Sequence, residues 1–452
     1  MATQKANNIY IFLITISNFR AKIVQFAQKS VTLHEKFGIM KKLLICICSV
    51  LVLCACKNES SENSIFDRTV LVYMAGENNL DEFIDSELEQ MKQGSKDIGD
   101  RNRFIVYVDR ADTKTKPYYA RIHDGVIDTT FVTTTDTKTS DPAVMEEVIN
   151  KVFKENPAHE YGLVLWGHAS GWLIEADSIA YNSTTATSAR RRAYGGDTGN
   201  NSKLSAGRTW MNIPSMANML RTTGYHLKFI FADCCTFMCV ENAYELRDVC
   251  DYLIGSPAEI TGVGAPYNTV VPAMFSQSET FYKQIADKYY EQTVQSLKVP
   301  LTVVKSQEMQ QLAAATRTLL HDIVPQVTTD GEGVSAKYVD MTGRVYYYDT
   351  GVCAMYDMKD FLQTYARQLG IEGDYNQWQA ALDKAVVYRL YAAQWVTAYH
   401  TNFYDFTNTE DGTCGLSMYI PQSPFQGKYF NYNKYIKQMA WYYAAGYGDI
   451  GW

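Results

Sequence analysis

The chain has 452 residues, a formal net charge of −7, 46% hydrophobic and 13% aromatic content, enough apolar side chain for one large or two medium folded units. An acidic balance without a basic stripe of interleaved aromatics excludes a general nucleic-acid binder. Ten cysteines do not make a disulfide framework here: Cys46, Cys48, Cys54 and Cys56 share one apolar stretch, and no CxxC pair occurs among Cys234, Cys235, Cys239, Cys250, Cys353 and Cys414, so structural zinc is not expected either.

The first landmark is MKKLLICICSVLVLCAC, from Met40 to Cys56: two lysines, an apolar run from Leu43 to Leu53, then a small residue before cysteine. That is the form of a secretory signal over residues 40–55, too short for a comfortable transmembrane helix. Residues 56–65 read as a polar tether. A signal acts from the start of a chain, so translation is expected to begin at Met40, with residues 1–39 absent from the mature protein. The other reading is a genuine extension whose run from Ile9 to Ile16 associates with a membrane.

Beyond the tether, Thr69 to Met74 reads as a buried strand, followed by a loop and a helix from about Asp81 to Lys92, with Asn79 or Asp81 as its cap. Arg103 to Asp109 is a second strand, and Tyr118 to Ile122 with Val126 to Val132 form a hairpin around His123, Asp124 and Gly125. Asp141 opens a helix whose Val144, Val148, Ile149 and Phe153 keep helical spacing. Next comes Tyr161 to Trp166, a short apolar strand ending in Gly167, His168, Ala169, Ser170 and Gly171. The interval Ile174 to Thr209 is rich in Ser, Thr, Ala, Gly and Asn, carries Arg190, Arg191, Arg192, Lys203 and Arg208, and reads as a long structureless loop.

A helix from Asn212 to Thr223 leads to the strand Leu227 to Ala232, which ends at Asp233, Cys234 and Cys235, with a helix from about Cys239 to Val249 and a strand from Tyr252 to Ile254. Gly262, Gly264, Pro266 and Tyr267 make a turn-rich loop. Helices are predicted at Glu279 to Leu297, Gln307 to Val324, Met358 to Leu369, Tyr375 to Arg389 and Tyr432 to Ala445, with strands at Leu301 to Val304, Val396 to His400 and Leu416 to Ile420. Alternating strands and helices predict an α/β fold, a mostly parallel sheet with helices on both faces. Side chains at the C-terminal ends of such strands reach a crevice, so His168 and Cys235 are delivered to one edge, where an imidazole can raise the thiolate fraction of a cysteine.

The segments LVLWGHASGW, FADCCTFMCVENAYEL and SPAEITGVGAPY, with TVLVYMAGENNLDEF before them and GLSMYIP after, resemble the clostripain-like cysteine peptidases, of the clan that holds caspases, gingipains and legumain. The resemblance runs over about residues 66–445. It implies a caspase-like sandwich, with a catalytic domain over 66–271 and, over 272–452, the C-terminal part of the fold and a helical subdomain. By the same resemblance His168 and Cys235 form the catalytic dyad, the N–H groups of Ala169 and Cys235 hold the oxyanion, and Asp233 lines a pocket for a basic P1 side chain. The implied partner is a protein or peptide with Arg or Lys at P1, cut by a monomer. The resemblance also allows self-cleavage after Arg190, Arg191, Arg192 or Lys203. LCAC resembles a bacterial lipobox, which implies a lipid on Cys56 and a membrane-anchored, exported protein. No cofactor or metal-ligand spacing is visible, and only the resemblance leaves room for calcium.

Several alternatives stay open at the level of the residues. Spacing alone does not separate Cys235 from Cys234, although the D-x-C pattern favours Cys235. Asp233 also reads as a helix N-cap or as an orienter of the histidine. The arginine run reads equally as a solvated loop. Where the family usually has glycine, Ala169 keeps the N–H but tolerates positive φ poorly, which sustains a second reading: a surface lipoprotein with the peptidase fold and little activity.

Overall fold

In the computed structural model, which describes residues 65–112, 114–133, 135–174, 193–197, 209–292, 298–327, 348, 355–392, 394–397, 400–405, 412–421 and 432–452, the apolar runs become one sheet. Its strands are β1 (Phe66–Gly76), β2 (Asn102–Arg110), β3 (Tyr118–His123), β4 (Val126–Val132), β5 (Ala158–Trp166), β8 (Leu227–Asp233), β9 (Cys250–Gly255), β10 (Leu301–Lys305) and β12 (Val386–Leu390). Their order is β12-β10-β9-β8-β5-β1-β2-β3-β4, nine strands among the described residues. The central five run parallel, while β10, β12, β3 and β4 add antiparallel edges. Smaller pairs join β6 (Tyr194–Asp197) to β7 (Thr209–Met211), β11 (Met355–Asp357) to β15 (Ser417–Tyr419), and β13 (Gln394–Thr397) to β14 (His400–Asp405).

A strand buried on both faces needs no polar alternation, which is why β1 reads as a continuous apolar run. Its period of two still divides the layers. Val70, Val72 and Met74 pack with Ile84, Leu88 and Met91 of α1 (Ile84–Gly94) and with α5 (Tyr267–Met274) and α6 (Phe281–Gln292). Leu71, Tyr73 and Ala75 pack on the other side with α2 (Pro142–Glu155), α3 (Ile213–Thr223) and α4 (Val240–Glu245), in a layer extended by α7 (Met309–Val327), α8 (Met358–Leu369) and α9 (Glu372–Ala385). Everything from Ile65 onward belongs to one compact unit. No helix among the described residues is long and apolar enough to cross a membrane.

Several elements differ from expectation for identifiable reasons. The helix of residues 375–389 stops at Ala385, because Val386–Leu390, rich in β-branched side chains, joins the open edge of β10. After Cys235 only six residues are helical, since the turn beyond them is held at Val249, whose carbonyl accepts from Leu227 N–H at 2.9 Å. The last helix breaks at Met439, in an extended conformation, where Glu245 accepts from Ala440 N–H. Within the interval expected to be structureless, residues 193–197 are fully buried and supply β6. Asn78, not Asn79 or Asp81, caps the first helical turn through Leu80 N–H.

Candidate active site

Three loops leave the C-terminal edge of the sheet side by side. In the register of β1, β5 and β8, Met74 pairs with Trp166 and Trp166 with Asp233. His168 and Cys235 therefore each stand two residues beyond one ladder rung on adjacent strands, whose axes lie ~4.8 Å apart. The turn into His168 is made by Gly167 at φ 150°, a conformation that side chains rarely adopt, with Ala75 O just 3.2 Å from where a Cβ would sit.

The histidine loop is fastened from both sides. Gly195 N–H donates to His168 O at 2.8 Å and Ser170 N–H to Ala193 O at 3.2 Å, so Ala169 faces Tyr194 as a non-hydrogen-bonded antiparallel pair. In such a pair the residue's own N–H turns away from the partner strand. Ala169 is not among the positive-φ residues, so its methyl group strains nothing. Buried Tyr194 places its hydroxyl 3.0 Å from Tyr73 O and 3.1 Å from Trp166 O, tying the ends of β1 and β5 together. The preceding loop contributes more: Asn78 Nδ2 donates to Ala75 O and Gly196 O, and Asn79 Oδ1 lies 2.9 Å from His168 Nε2. A carbonyl oxygen only accepts, so Nε2 carries a hydrogen, which in the neutral ring leaves the lone pair on Nδ1.

Of the adjacent cysteines, Cys234 is fully buried, and burial drives its thiol pKa far up. Cys235 is half-buried, with Sγ 3.7 Å from Ile260 O and 3.5 Å from Ile260 N, whose N–H donates to sulfur. The next residue, Thr236, sits at φ 50°. A β-branched residue there is strained, and strain of this kind marks a functional turn. Its N–H donates to Ala258 O at 2.8 Å, joining this turn to the loop after β9. Beneath, Ser417 N–H donates to Met238 O and Tyr419 N–H to buried Glu241, so the GLSMYIP segment clamps α4 from below.

Asp233 is 3% exposed. Its Oδ2 accepts from Ala265 N–H at 3.0 Å and from the Tyr267 hydroxyl at 2.8 Å, while Oδ1 has no hydrogen-bond partner among the described residues. Burial raises its pKa to about 6, against the lowering effect of those two donors. Gly264, at φ 55°, keeps this contact open, since a Cβ there would stand 2.8 Å from Oδ2. Nearby Glu87 of α1 is also buried, with neither carboxyl oxygen hydrogen-bonded, and burial followed by the Asp233 charge pushes it up to about 9. The N-cap of α4 is Cys239, so Asp233 does not cap it. Tyr267, expected in a loop, instead opens α5.

Behind the Asn79 loop, Glu77, Asp109 and Asp197 are fully buried, with carboxylate oxygens within 4.8 Å of one another, a group that no spacing in the sequence announces. His123 pairs with Asp124 and Asp128, His226 with Asp251 and His321 with Asp322, all at the surface. Cys56, Arg190, Arg191, Arg192, Lys203 and Arg208 lie outside the described residues, as do the signal stretch 40–55 and residues 1–39.

A model of the clostripain family matches residues 72–450. Among solved structures, a secreted C11 cysteine protease from Bacteroides thetaiotaomicron, in complex with an irreversible peptide inhibitor, is 28% identical with a TM-score of 0.67, over 85% of this chain and 99% of its own. An inactive zymogen C11 protease from Parabacteroides distasonis is 28% identical, TM-score 0.66, over 84% and 98%. A further secreted C11 cysteine protease from B. thetaiotaomicron, at 18% identity and TM-score 0.66 over 84% and 99%, shares the fold. No curated protein matches the chain.

Proposed function

Because this chain belongs to the clostripain family of cysteine peptidases, we propose that it is an exported, lipid-anchored endopeptidase cutting after arginine or lysine, with Cys235 as nucleophile and His168 as its base and acid. The Cys235 thiol gives its proton to Nδ1 of His168, and the thiolate adds to the scissile carbonyl. The N–H groups of Ala169 and Cys235 hold the oxygen that turns negative. The imidazolium returns the proton to the departing amine as the C–N bond breaks, leaving a thioester. Water then adds, losing a proton to Nδ1, and the C–S bond breaks to restore the thiol.

The observation that carries this reading is the shared rung: Trp166 and Asp233 are paired, and the two reactive side chains lie two residues beyond them. The Asn79 contact at Nε2 supports it by leaving Nδ1 with the lone pair that the mechanism needs. An unstrained Ala169 supports the active reading over the inert-fold one. The unpartnered, buried oxygen of Asp233 supports a cationic P1 side chain, which would supply the charge partner that the carboxylate lacks. The secreted relative and the stretch 40–56 support export with a lipid on Cys56, and the arginine run at 190–192, or Lys203, would be cut by the enzyme's own specificity.

The test is labelling by an arginyl or lysyl acyloxymethyl ketone. The wild-type protein is expected to take one label, and Cys235→Ala to take none. Unreduced labelling of Cys235→Ala would sink the assignment.

A further inference from the structure

The residue after the proposed nucleophile holds a conformation that its side chain disfavours. Thr236 sits at φ 50°, in the left-handed region, which a β-branched residue occupies only at a cost that glycine or asparagine would avoid. Among the described residues one other non-glycine residue has positive φ, Asp124 in the turn between β3 and β4, where a short polar side chain is at home. The Thr236 turn is nonetheless fixed from both sides. Its N–H donates to Ala258 O at 2.8 Å, and its carbonyl oxygen abuts Gly171, where a Cβ would stand 3.1 Å from it. The loop after β9 and the histidine loop thus hold the backbone of Thr236 between them.

An outlier of this kind points to a use for the side chain. Thr236 is 3% exposed, a burial at which a hydroxyl ordinarily finds a partner. Among the described residues its Oγ1 forms no hydrogen bond, yet it is not one of the polar atoms sealed from solvent. It is a donor in want of an acceptor, one residue from a half-buried thiol. From this geometry we infer that the Thr236 hydroxyl is a catalytic donor, which gives a hydrogen bond to the carbonyl oxygen of the scissile peptide bond beside the N–H groups of Ala169 and Cys235. The inference rests on the reading of Cys235 as nucleophile.

Consecutive Cα atoms stand ~3.8 Å apart, so a hydroxyl on the residue after the nucleophile is within reach of an oxygen bonded to the carbon under attack. A threonine hydroxyl can turn its hydrogen to follow that oxygen as the carbonyl becomes tetrahedral. The hydroxyl keeps its proton throughout. The thiol proton still passes to His168 and on to the departing amine, and Thr236 only donates to the negative charge that forms and is lost. A donor whose backbone is fixed before substrate arrives acts most strongly where that charge develops, so its removal lowers kcat and leaves KM little changed. Glycine would relax the turn but carries no hydroxyl, which accounts for threonine at this φ.

The experiment measures kcat and KM on a peptide amide that the wild-type protein cleaves, with Tm and acyloxymethyl ketone labelling of each variant as controls of fold and nucleophile. Thr236→Val keeps the branched shape and removes the hydroxyl, and Thr236→Ala removes it with less crowding should the first variant fold poorly. Thr236→Ser keeps it. Both hydroxyl-free variants should still take one label but lose ~10²-fold in kcat with KM little changed, while Thr236→Ser should retain most of the wild-type kcat. The inference is overturned if Thr236→Val and Thr236→Ala turn over as fast as wild type. It is overturned equally if Thr236→Ser falls as far as they do, since the methyl group, and not the hydroxyl, would then matter. Wild-type protein that takes no label overturns the nucleophile itself and this inference with it, so the two failures are told apart.

Discussion

Two buried acidic groups sit at the same end of the sheet on opposite faces. Asp233 keeps the alternation of Phe229 and Phe231 and looks towards α1, α5 and α6, whereas Asp109 keeps that of Ile105 and Tyr107 and looks into the layer holding α2. At Asp233 one oxygen is held by two donors, while the other is buried with no hydrogen-bond partner among the described residues, the half-site that the proposed cationic P1 side chain would fill. At Asp109 three buried acids crowd together, and burial with the charges of Asp197 and Glu77 holds the Asp109 carboxyl well above its ordinary range, favouring its protonated form. The first lacks the charge partner that the proposed P1 side chain would bring, and the second relieves its own crowding by favouring a protonated Asp109. One should govern which substrate is cut, and the other how well the histidine is held.

Kinetics should separate the two. Asp233→Asn removes the counter-charge of the proposed P1 pocket and should lower kcat/KM for an arginyl substrate ~10³-fold, about 4 kcal/mol, while a norleucyl substrate loses far less. Equal losses on both would erase the distinction. The pH profile sharpens it further: with the Asp233 pKa raised to about 6 by burial, the ratio of arginyl to norleucyl kcat/KM should fall up to tenfold per unit below about pH 6. Taking the ratio cancels the titration of the reacting pair. On the opposite side, Asn79→Ala frees the imidazole to rotate and to exchange tautomers, and should lower kcat ~10 to 100-fold for both substrates with KM little changed. A loss confined to the arginyl substrate would mean that Asn79 belongs to the pocket instead.

What the sequence discloses follows from where the information is stored. Strands such as Val70–Ala75 and Leu163–Trp166 are continuous apolar runs ending in loops, and they are legible without partners. The loops bearing His168 and Cys235 are legible for the same reason. Asn79 reads as a helix cap because a local hydrogen bond is the ordinary use of asparagine there; its neighbour Asn78 takes that place and frees Asn79 to reach a histidine 89 residues away. Asp109 looks like a strand-end acid and Asp197 like part of a structureless loop, since nothing local reveals that residues 194–197 form β6 and return beside β1. Val386–Leu390 continues a helical pattern until β10 offers an open edge, which is tertiary information. Long-range pairings decide each of these positions, and a single sequence carries them only through the fold.

The smallest effect tests whether the Asp233 pocket tolerates a second charge. Glu87 has a pKa raised from 4.5 to about 9, chiefly by burial and then by Asp233, so at pH 7 it is neutral in the folded chain and ionised in the unfolded one. A carboxyl with a raised folded pKa binds a proton on folding. Its contribution to stability is therefore undiminished below about pH 4.5 and is lost progressively as pH rises towards 9. Glu87→Gln keeps the shape and removes that proton uptake. It should raise stability at pH 7 by about 1 kcal/mol, the gain being held down because the amide is as short of partners as the acid. The difference in Tm between variant and wild type should grow from pH 5 to pH 8. If it is flat, Glu87 is already ionised in the folded protein, and the pocket then presents two charges rather than one.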